Sequence, residues 1–143
     1  WLETPIHFAY GCNTTVGDHF YSNFNLTIVD DVSVTIGNCV MCAPNVTIST
    51  TGHPVHPYYR TRGAHFSLPI VIEDNVWIGA NVMIMPGVTI GKNSVIGAGS
   101  VVTRDIPANV VAFGTPCRVI RPITDADLET IRPGATINED WNW

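Results

Sequence analysis

The chain has 143 residues, 45% hydrophobic and only 13% charged, which suits one domain whose surface is partly covered by partner subunits. Its net charge of −5, from 12 acidic and 7 basic residues, argues against nucleic acid as a partner, because neutralising phosphates requires clustered Lys and Arg. No apolar run is long enough to span a membrane, so no membrane association is predicted.

The first half of the chain carries an imperfect repeat of six residues. Val16-Gly17 resembles an early start of the unit, and Asp30-Asp31 are expected where a coil is locally distorted. Cys39 and Cys42 have CxxC-like spacing, but no second close pair follows them, so we predict buried free thiols. The apolar positions spaced by six are Ile28, Val34, Val40 and Val46 in one register and Ile36, Cys42 and Ile48 in another.

The repeat stops between Thr50 and Pro69. This stretch contains two further prolines, two glycines and three of the five histidines of the chain. We predict that it leaves the repeat as a protruding loop near 50–69. Loops on rigid scaffolds often carry function, so its histidines are candidates for a site.

From residue 72 onward the repeat of six is strict. A helix would repeat its apolar stripe every 3.6 residues and a strand every two, so neither explains it. A solenoid does, because aliphatic residues stack inward from coil to coil, and Asn or Gly at the turns tolerates left-handed backbone. The positions are Ile72, Ile78, Ile84, Ile90, Ile96 and Val102, then Val76, Val82, Val88, Ser94 and Ser100, with turns at Asn75, Asn81, Gly87, Asn93 and Gly99.

The C-terminal part is predicted to finish the solenoid and close it. The segment from Thr103 to Arg121 is expected to form its last turns. Thr124 is a plausible N-cap, with Asp127 at the third helical position, for a short helix through about Ile131. We therefore predict an all-β fold over residues 1–143, a single solenoid domain with a short C-terminal helix.

Several motifs together resemble the hexapeptide-repeat acyltransferases, in the branch of galactoside and maltose O-acetyltransferases, with nodulation acetyltransferases as near relatives. The resemblance spans roughly Pro5 to Arg121. It implies a left-handed parallel β-helix, a cytoplasmic homotrimer with active sites between subunits, acetyl-coenzyme A as co-substrate and no metal. The motifs are Asn23-Phe24-Asn25-Leu26, Thr51-Gly52-His53-Pro54, Asn75-Val76-Trp77-Ile78-Gly79 and Gly114-Thr115-Pro116-Cys117-Arg118.

The resemblance also implies roles for single residues. His53 of the Thr-Gly-His-Pro motif corresponds to the catalytic histidine, and Asn23 and Asp31 lie on the acceptor side. The contacts to coenzyme A correspond to Trp77, Ala80, Ala98, Thr103, Arg104, Arg118 and Arg121.

The chemistry of acetyl transfer to a hydroxyl fits these residue types. A hydroxyl is a poor nucleophile, and a histidine with a pKa of about 6.5 can take its proton at neutral pH. By the resemblance, Asn23 and the backbone N–H of Ala80 are the candidates to stabilise negative charge on the thioester oxygen. Asp31 is expected to hold acceptor hydroxyls or to orient His53.

The remaining candidate residues also have plainer interpretations. Arg104, Arg118 and Arg121 suit phosphate groups, since the guanidinium fork matches their oxygens, but each could be ordinary surface charge. Trp77 is either a ligand contact or an aromatic residue of a subunit interface. His56 and His65 are interpreted as ordinary surface histidines.

Three departures from the family pattern bear on the acceptor. Ala64 follows Gly63 where relatives often carry Glu, and Ala9 stands where some galactoside enzymes have an acceptor-contacting Ser. The N-terminal helical segment of the family, with its acceptor-binding Asp, is expected to be absent from this chain.

Other functions remain open at this stage. A γ-type carbonic anhydrase would need three zinc-binding histidines from separate coils, whereas His53, His56 and His65 fall in one loop. A non-catalytic binding solenoid also fits the repeat, and so does an acetyltransferase for an antibiotic, serine or a sugar-nucleotide amine. Transfer is expected to be direct, with Cys42 and Cys117 structural and not acyl carriers.

Overall fold

The computed structural model describes residues 1–132 and 135–136, and side chains through Glu129. The chain forms a parallel β-solenoid of about five coils, which confirms the predicted fold.

The first face of the solenoid contains β1 (Ile6–Phe8), β4 (Leu26–Val29), β7 (Thr47–Ser49), β12 (Met83–Ile84) and β15 (Val101–Val102). The second contains β2 (Thr14–Val16), β5 (Val34–Ile36), β10 (Ile70–Ile72) and β13 (Thr89–Ile90). The third contains β3 (Tyr21–Ser22), β6 (Met41–Cys42), β11 (Trp77–Ile78), β14 (Val95–Ile96), β16 (Val110–Phe113) and β17 (Arg118–Pro122).

The core is the stack of inward side chains that the repeat predicts. Ile84 pairs with Ile48 on one side and Val102 on the other, so equivalent residues of successive coils lie directly above one another. All six aliphatic positions from Ile72 to Val102 have no exposed surface. Burial of each such side chain contributes about 1.5–3 kcal/mol.

The turns also follow the prediction. Asn75, Asn81 and Asn93 have φ angles of 57°, 57° and 62°, and Gly87 and Gly99 have φ angles of 81° and 72°. These values lie in the left-handed region, which Asn and Gly enter at the least cost. Cys39 (φ 55°) occupies the same kind of turn and is exposed. The prediction that it is buried is therefore wrong, while that for Cys42 is confirmed.

The predicted loop is confirmed and has structure of its own. It leaves and rejoins the solenoid through an antiparallel hairpin of β8 (Thr51–Gly52) and β9 (Phe66–Ser67). Between them lies a short helix, α1 (Pro57–Arg60), whose N-cap is His56. Arg60 donates to the carbonyl oxygens of Pro54 and Val55. The loop is therefore held by its own side chains.

The C-terminal part differs from the prediction in two respects. Strand β17 runs antiparallel to β16 instead of adding another parallel turn. The expected helix through Ile131 is only a 3-10 turn, Asp125–Leu128, because the backbone from Thr130 pairs in a hairpin of β18 (Thr130–Arg132) and β19 (Ala135–Thr136). Within the described ranges no helix is long and apolar enough to cross a membrane.

Asp30 is a fully buried carboxylate that organises the first turn of the chain. Its oxygens accept hydrogen bonds from the backbone N–H groups of Tyr10 (2.9 Å) and Gly11 (2.8 Å) and from the hydroxyl of Thr14 (3.0 Å). Burial alone would raise the pKa of Asp30, but these donors outweigh it and lower the pKa below the ordinary value. Asp30 is thus charged and structural, whereas the sequence pattern indicates only a local distortion.

We expect Asp30→Asn to lower the free energy of unfolding by about 2 kcal/mol at pH 7, because the amide NH2 group would face backbone donors. Urea unfolding measures this, and Asp18→Asn, on an exposed turn, is the matched control. A carboxylate with a lowered pKa stabilises the fold above about pH 4 and loses that contribution as pH falls through its folded-state pKa. The difference between wild type and variant should therefore shrink as pH falls below about 4; a difference independent of pH would contradict the assignment.

Candidate active site

The predicted site residues lie on two edges of the solenoid. The loop edge comprises the turns from the first face to the second, residues 30–33, 50–69, 85–88 and 103–105. The alanine edge comprises the turns from the third face to the first, residues 23–25, 43–46, 79–82 and 97–100. The first face separates the two edges. One copy of the chain therefore does not bring all the predicted site residues together.

His53 lies on the loop edge, directly after β8, and is exposed. Its Nδ1 atom is 2.9 Å from the carbonyl oxygen of Ala64. A carbonyl only accepts hydrogen bonds, so Nδ1 is the donor, and in the neutral ring the lone pair lies on Nε2. The backbone at Ala64 thus supplies the orienting contact that a side-chain carboxylate could otherwise have made.

Asp31 holds the base of the loop. One of its carboxylate oxygens accepts a hydrogen bond from the Thr51 hydroxyl, which is also 2.9 Å from the hydroxyl of Ser67 on the other strand of the hairpin. Thr51 precedes His53 by two residues. Asp31 therefore secures the hairpin that carries His53, while the direct contact to the imidazole comes from Ala64.

His65 lies beside His53. Their ring centroids are 6.4 Å apart, and the rings meet edge to face at 71°. Sequence reasoning interpreted His65 as an ordinary surface residue. The proximity of His65 to His53 follows from strand pairing across the loop. A segment without alternating hydrophobicity gives no sign of that pairing in the sequence.

Asn23 and the two alanines form the alanine edge. The Oδ1 atom of Asn23 accepts from the N–H of Phe24 at 2.9 Å, which leaves the NH2 group as the end available to a ligand. A Cβ atom on Gly79 would lie 2.6 Å from the nitrogen of Ala98, so only glycine lets these turns stack. No partner occurs for the backbone N–H of Ala80 within the chain up to residue 132.

The predicted phosphate-binding residues differ in the hydrogen bonds that their side chains already make. Arg104 and Thr103 are exposed on the loop edge, and no hydrogen bond from the Arg104 side chain occurs within the described part of the chain. Arg118 donates to the carbonyl of Cys117 at 2.7 Å. Arg121 makes two bonds of 2.8 Å to Asp127, which lower the pKa of Asp127 to about 2.

The third face is apolar on the outside. Met41 and Trp77 pair side by side in β6 and β11 and are 43% and 49% exposed. Trp77 is thus a surface residue of this face. Behind it, burial raises the pKa of the Cys42 thiol to about 12 and also raises that of Cys117. A raised pKa disfavours the thiolate, which is the nucleophilic form of cysteine.

The loop histidines do not converge on a common point. His56 lies against Tyr58 and Tyr59, with ring centroids 6.4 and 6.3 Å away. No group of three or more His, Cys, Asp or Glu side chains suitable for a metal ion occurs in the described part of the structure.

Comparison with known proteins places this geometry in context. Residues 69–104 match the model of the bacterial transferase hexapeptide, six repeats. The chain is 65% identical over 127 residues to a galactoside O-acetyltransferase of Escherichia coli K12, covering 89% of this chain and 63% of the relative. It is 54% identical over 141 residues to a galactoside O-acetyltransferase of Lactococcus lactis, covering 98% and 68%.

Solved structures give the same result. A galactoside acetyltransferase in complex with coenzyme A superposes with a TM-score of 0.94 at 59% identity, covering 96% of this chain and 69% of that one. A maltose O-acetyltransferase from Clostridium difficile superposes with a TM-score of 0.85 at 50% identity, covering 87% and 66%. The agreement confirms the parallel β-solenoid fold.

The chain spans about two thirds of the length of these relatives, between 63% and 69%. Within that span the similarity includes the repeat, the protruding loop and both edges. The chain belongs to the hexapeptide-repeat acyltransferase family, in the branch of the galactoside and maltose O-acetyltransferases.

Proposed function

We propose that this chain transfers an acetyl group from acetyl-coenzyme A to a hydroxyl of a sugar or glycoside. The observation that carries the proposal is the hydrogen bond from His53 to the carbonyl of Ala64. It fixes an exposed imidazole with Nε2 ready to accept a proton. Relatives named galactoside O-acetyltransferase at 65% and 54% identity support the same acceptor class.

His53 acts as the general base. An acceptor hydroxyl within about 2.6–3.2 Å of Nε2 gives up its proton as its oxygen attacks the acetyl carbonyl. The Nδ1–H group keeps its bond to Ala64 throughout and so holds the imidazolium in place. His53 then returns the proton to the departing sulfur. Acetyl-coenzyme A supplies the acetyl group as a thioester, and no covalent acyl-enzyme is involved.

Asn23 and Ala80 are the proposed donors to the oxygen that becomes negative. The NH2 group of Asn23 and the backbone N–H of Ala80 both lie on the alanine edge, where they are available to a ligand. Fixed donors of this kind stabilise developing charge at no cost of reorganisation. His53 lies on the loop edge, so a complete site needs the loop edge of one subunit and the alanine edge of another.

Asp31 has a second proposed role beside holding the hairpin. The bond from Thr51 engages only one of its carboxylate oxygens. The other, Oδ1, has no partner in the described part of the structure. This free carboxylate oxygen can accept a hydrogen bond from a hydroxyl group of the sugar that receives the acetyl group.

The residues present fit coenzyme A. Its phosphates suit the guanidinium groups of Arg104 and Arg118, which form no ion pair with a described residue. Thr103 adds a hydroxyl donor next to Arg104. The small side chains of Ala80 and Ala98, on turns that stack closely at Gly79, leave room along the alanine edge for the pantetheine arm. Trp77 belongs to the adjoining third face.

The exposed row on the third face supports a homotrimer. Met41 and Trp77 present a large apolar surface. Val95 and Val111 continue the same row of paired residues along this face. Such a contiguous patch is typical of subunit contacts. A closed ring of three copies would bring the alanine edge of each against the loop edge of the next. Dependence on acetyl-coenzyme A favours a cytoplasmic location.

We expect His53→Ala to lower kcat for acetylation about a hundredfold or more, because it removes the general base. Thiol release from acetyl-coenzyme A with galactosides, maltose, glucose, serine and chloramphenicol as acceptors measures this. Binding of coenzyme A should be unchanged, since His53 is not among the residues assigned to it. If His53→Ala retained wild-type turnover, the general-base assignment would be wrong.

We expect two inactive variants, Asn23→Ala and His53→Ala, to regain activity when their subunits are mixed. In random trimers about a quarter of the interfaces would combine the intact Asn23 of one subunit with the intact His53 of its neighbour. The assay is thiol release after joint refolding, with each variant refolded alone as the control. Absence of rescue in verified mixed trimers would place both residues in the same subunit.

We expect Arg104→Ala to weaken binding of coenzyme A more than Arg121→Ala. The Arg121 guanidinium already makes two bonds to Asp127, so a phosphate would have to displace a carboxylate. Calorimetric titration with coenzyme A measures both affinities. Asp127→Asn should improve the affinity by releasing Arg121. A larger loss for Arg121→Ala than for Arg104→Ala would reverse this ranking.

A further inference from the structure

His53 and His65 occupy opposite positions across the hairpin of the loop. Thr51 pairs with Ser67 and Gly52 pairs with Phe66, so the next position in the same register joins residues 53 and 65. The ring centroids at 6.4 Å agree with this. The neighbourhood of the two imidazoles therefore follows from the backbone pairing and does not depend on a chance rotamer.

The two histidines share a face of the hairpin with Asp31. Side chains alternate along a strand, so residues 51 and 53 point to one side, and residues 65 and 67 do the same. Thr51 and Ser67 contact each other on that side, and Thr51 also donates to Asp31. The ring of Phe66 lies on the other side, 2.6 Å from where a Cβ on Gly52 would be.

Both imidazoles are anchored through the same atom. Nδ1 of His53 is 2.9 Å from the carbonyl of Ala64, and Nδ1 of His65 is 3.4 Å from that of Gly63. In each ring Nε2 is the atom left for a ligand, and both residues are exposed. The ring centroids are 6.4 Å apart, a distance that a polyhydroxylated molecule can span.

We propose, building on the proposed function, that His65 binds a second hydroxyl of the acceptor while His53 deprotonates the first. The site would then select polyhydroxylated acceptors and not an isolated hydroxyl such as that of serine. Asp31 borders the same face and offers a further acceptor for hydroxyl hydrogens. His65 is thus a specificity residue that contacts the substrate.

The test uses methyl galactoside and its monodeoxy analogues as acceptors for the trimeric enzyme. The position acetylated by the wild type is first identified by NMR of the product. Removing the hydroxyl bound by His65 should lower kcat/KM of the wild type about fivefold to tenfold, the usual worth of one hydrogen bond. In His65→Phe, which keeps an aromatic ring but no hydrogen-bonding atom, that penalty should vanish.

Matched variants separate this role from packing. His65→Gln keeps a polar group near the position of Nε2 and should retain part of the penalty. His56→Asn removes an imidazole from the same loop but keeps a side chain that caps α1, so it should leave the penalty unchanged. His65→Leu replaces the Phe variant if that one fails to form trimers.

The outcomes distinguish the two proposals. If the wild type acetylates the parent glycoside but His65→Phe keeps the full penalty, or if no deoxy analogue is penalised, the role of His65 is wrong and the acetyltransferase function stands. If the wild type acetylates no glycoside at all, the proposed function and the role of His65 fall together.

Discussion

The structure depends on the direct stacking of one aliphatic side chain upon its equivalent in the next coil. Ile48, Ile84 and Val102 form such a column on the first face, and matching columns run inside the other two. Asn and Gly close most of the short turns between the faces by adopting the left-handed backbone region. Because the stack is rigid, the edges of the solenoid become fixed positions on which reactive groups can be held.

In the proposed mechanism neither edge suffices for the chemistry. The loop edge contributes the imidazole of His53 and the carboxylate of Asp31, whereas the alanine edge contributes the amide of Asn23 and the backbone at Ala80. Under that mechanism a neighbouring subunit would cover the apolar outside of the third face around Met41 and Trp77. In the proposed enzyme, assembly and catalysis depend on the same surface.

The sequence allowed the solenoid, its turns and the protruding loop to be predicted, because each leaves a periodic signal or interrupts one. Candidate site residues could be proposed only where a local motif existed, as for the Thr-Gly-His-Pro segment. Contacts between residues separated in sequence could not be predicted: His53 bonds to a backbone atom of Ala64, and the backbone donor at Tyr10 lies 20 residues before Asp30. The exposed Cys39 was misjudged because a turn cysteine and a core cysteine look alike in sequence.

The hairpin at the base of the loop separates the stacked core of the solenoid from the inserted segment. Ile48 and Ile84 are neighbours in the column although the whole inserted segment lies between them in sequence, so the core does not register how long that segment is. The segment from 53 to 65 can therefore change in length while the stacked core of the solenoid persists. If the loop recognises the acceptor as proposed, evolution can replace it without rebuilding the core, and it can be grafted between relatives.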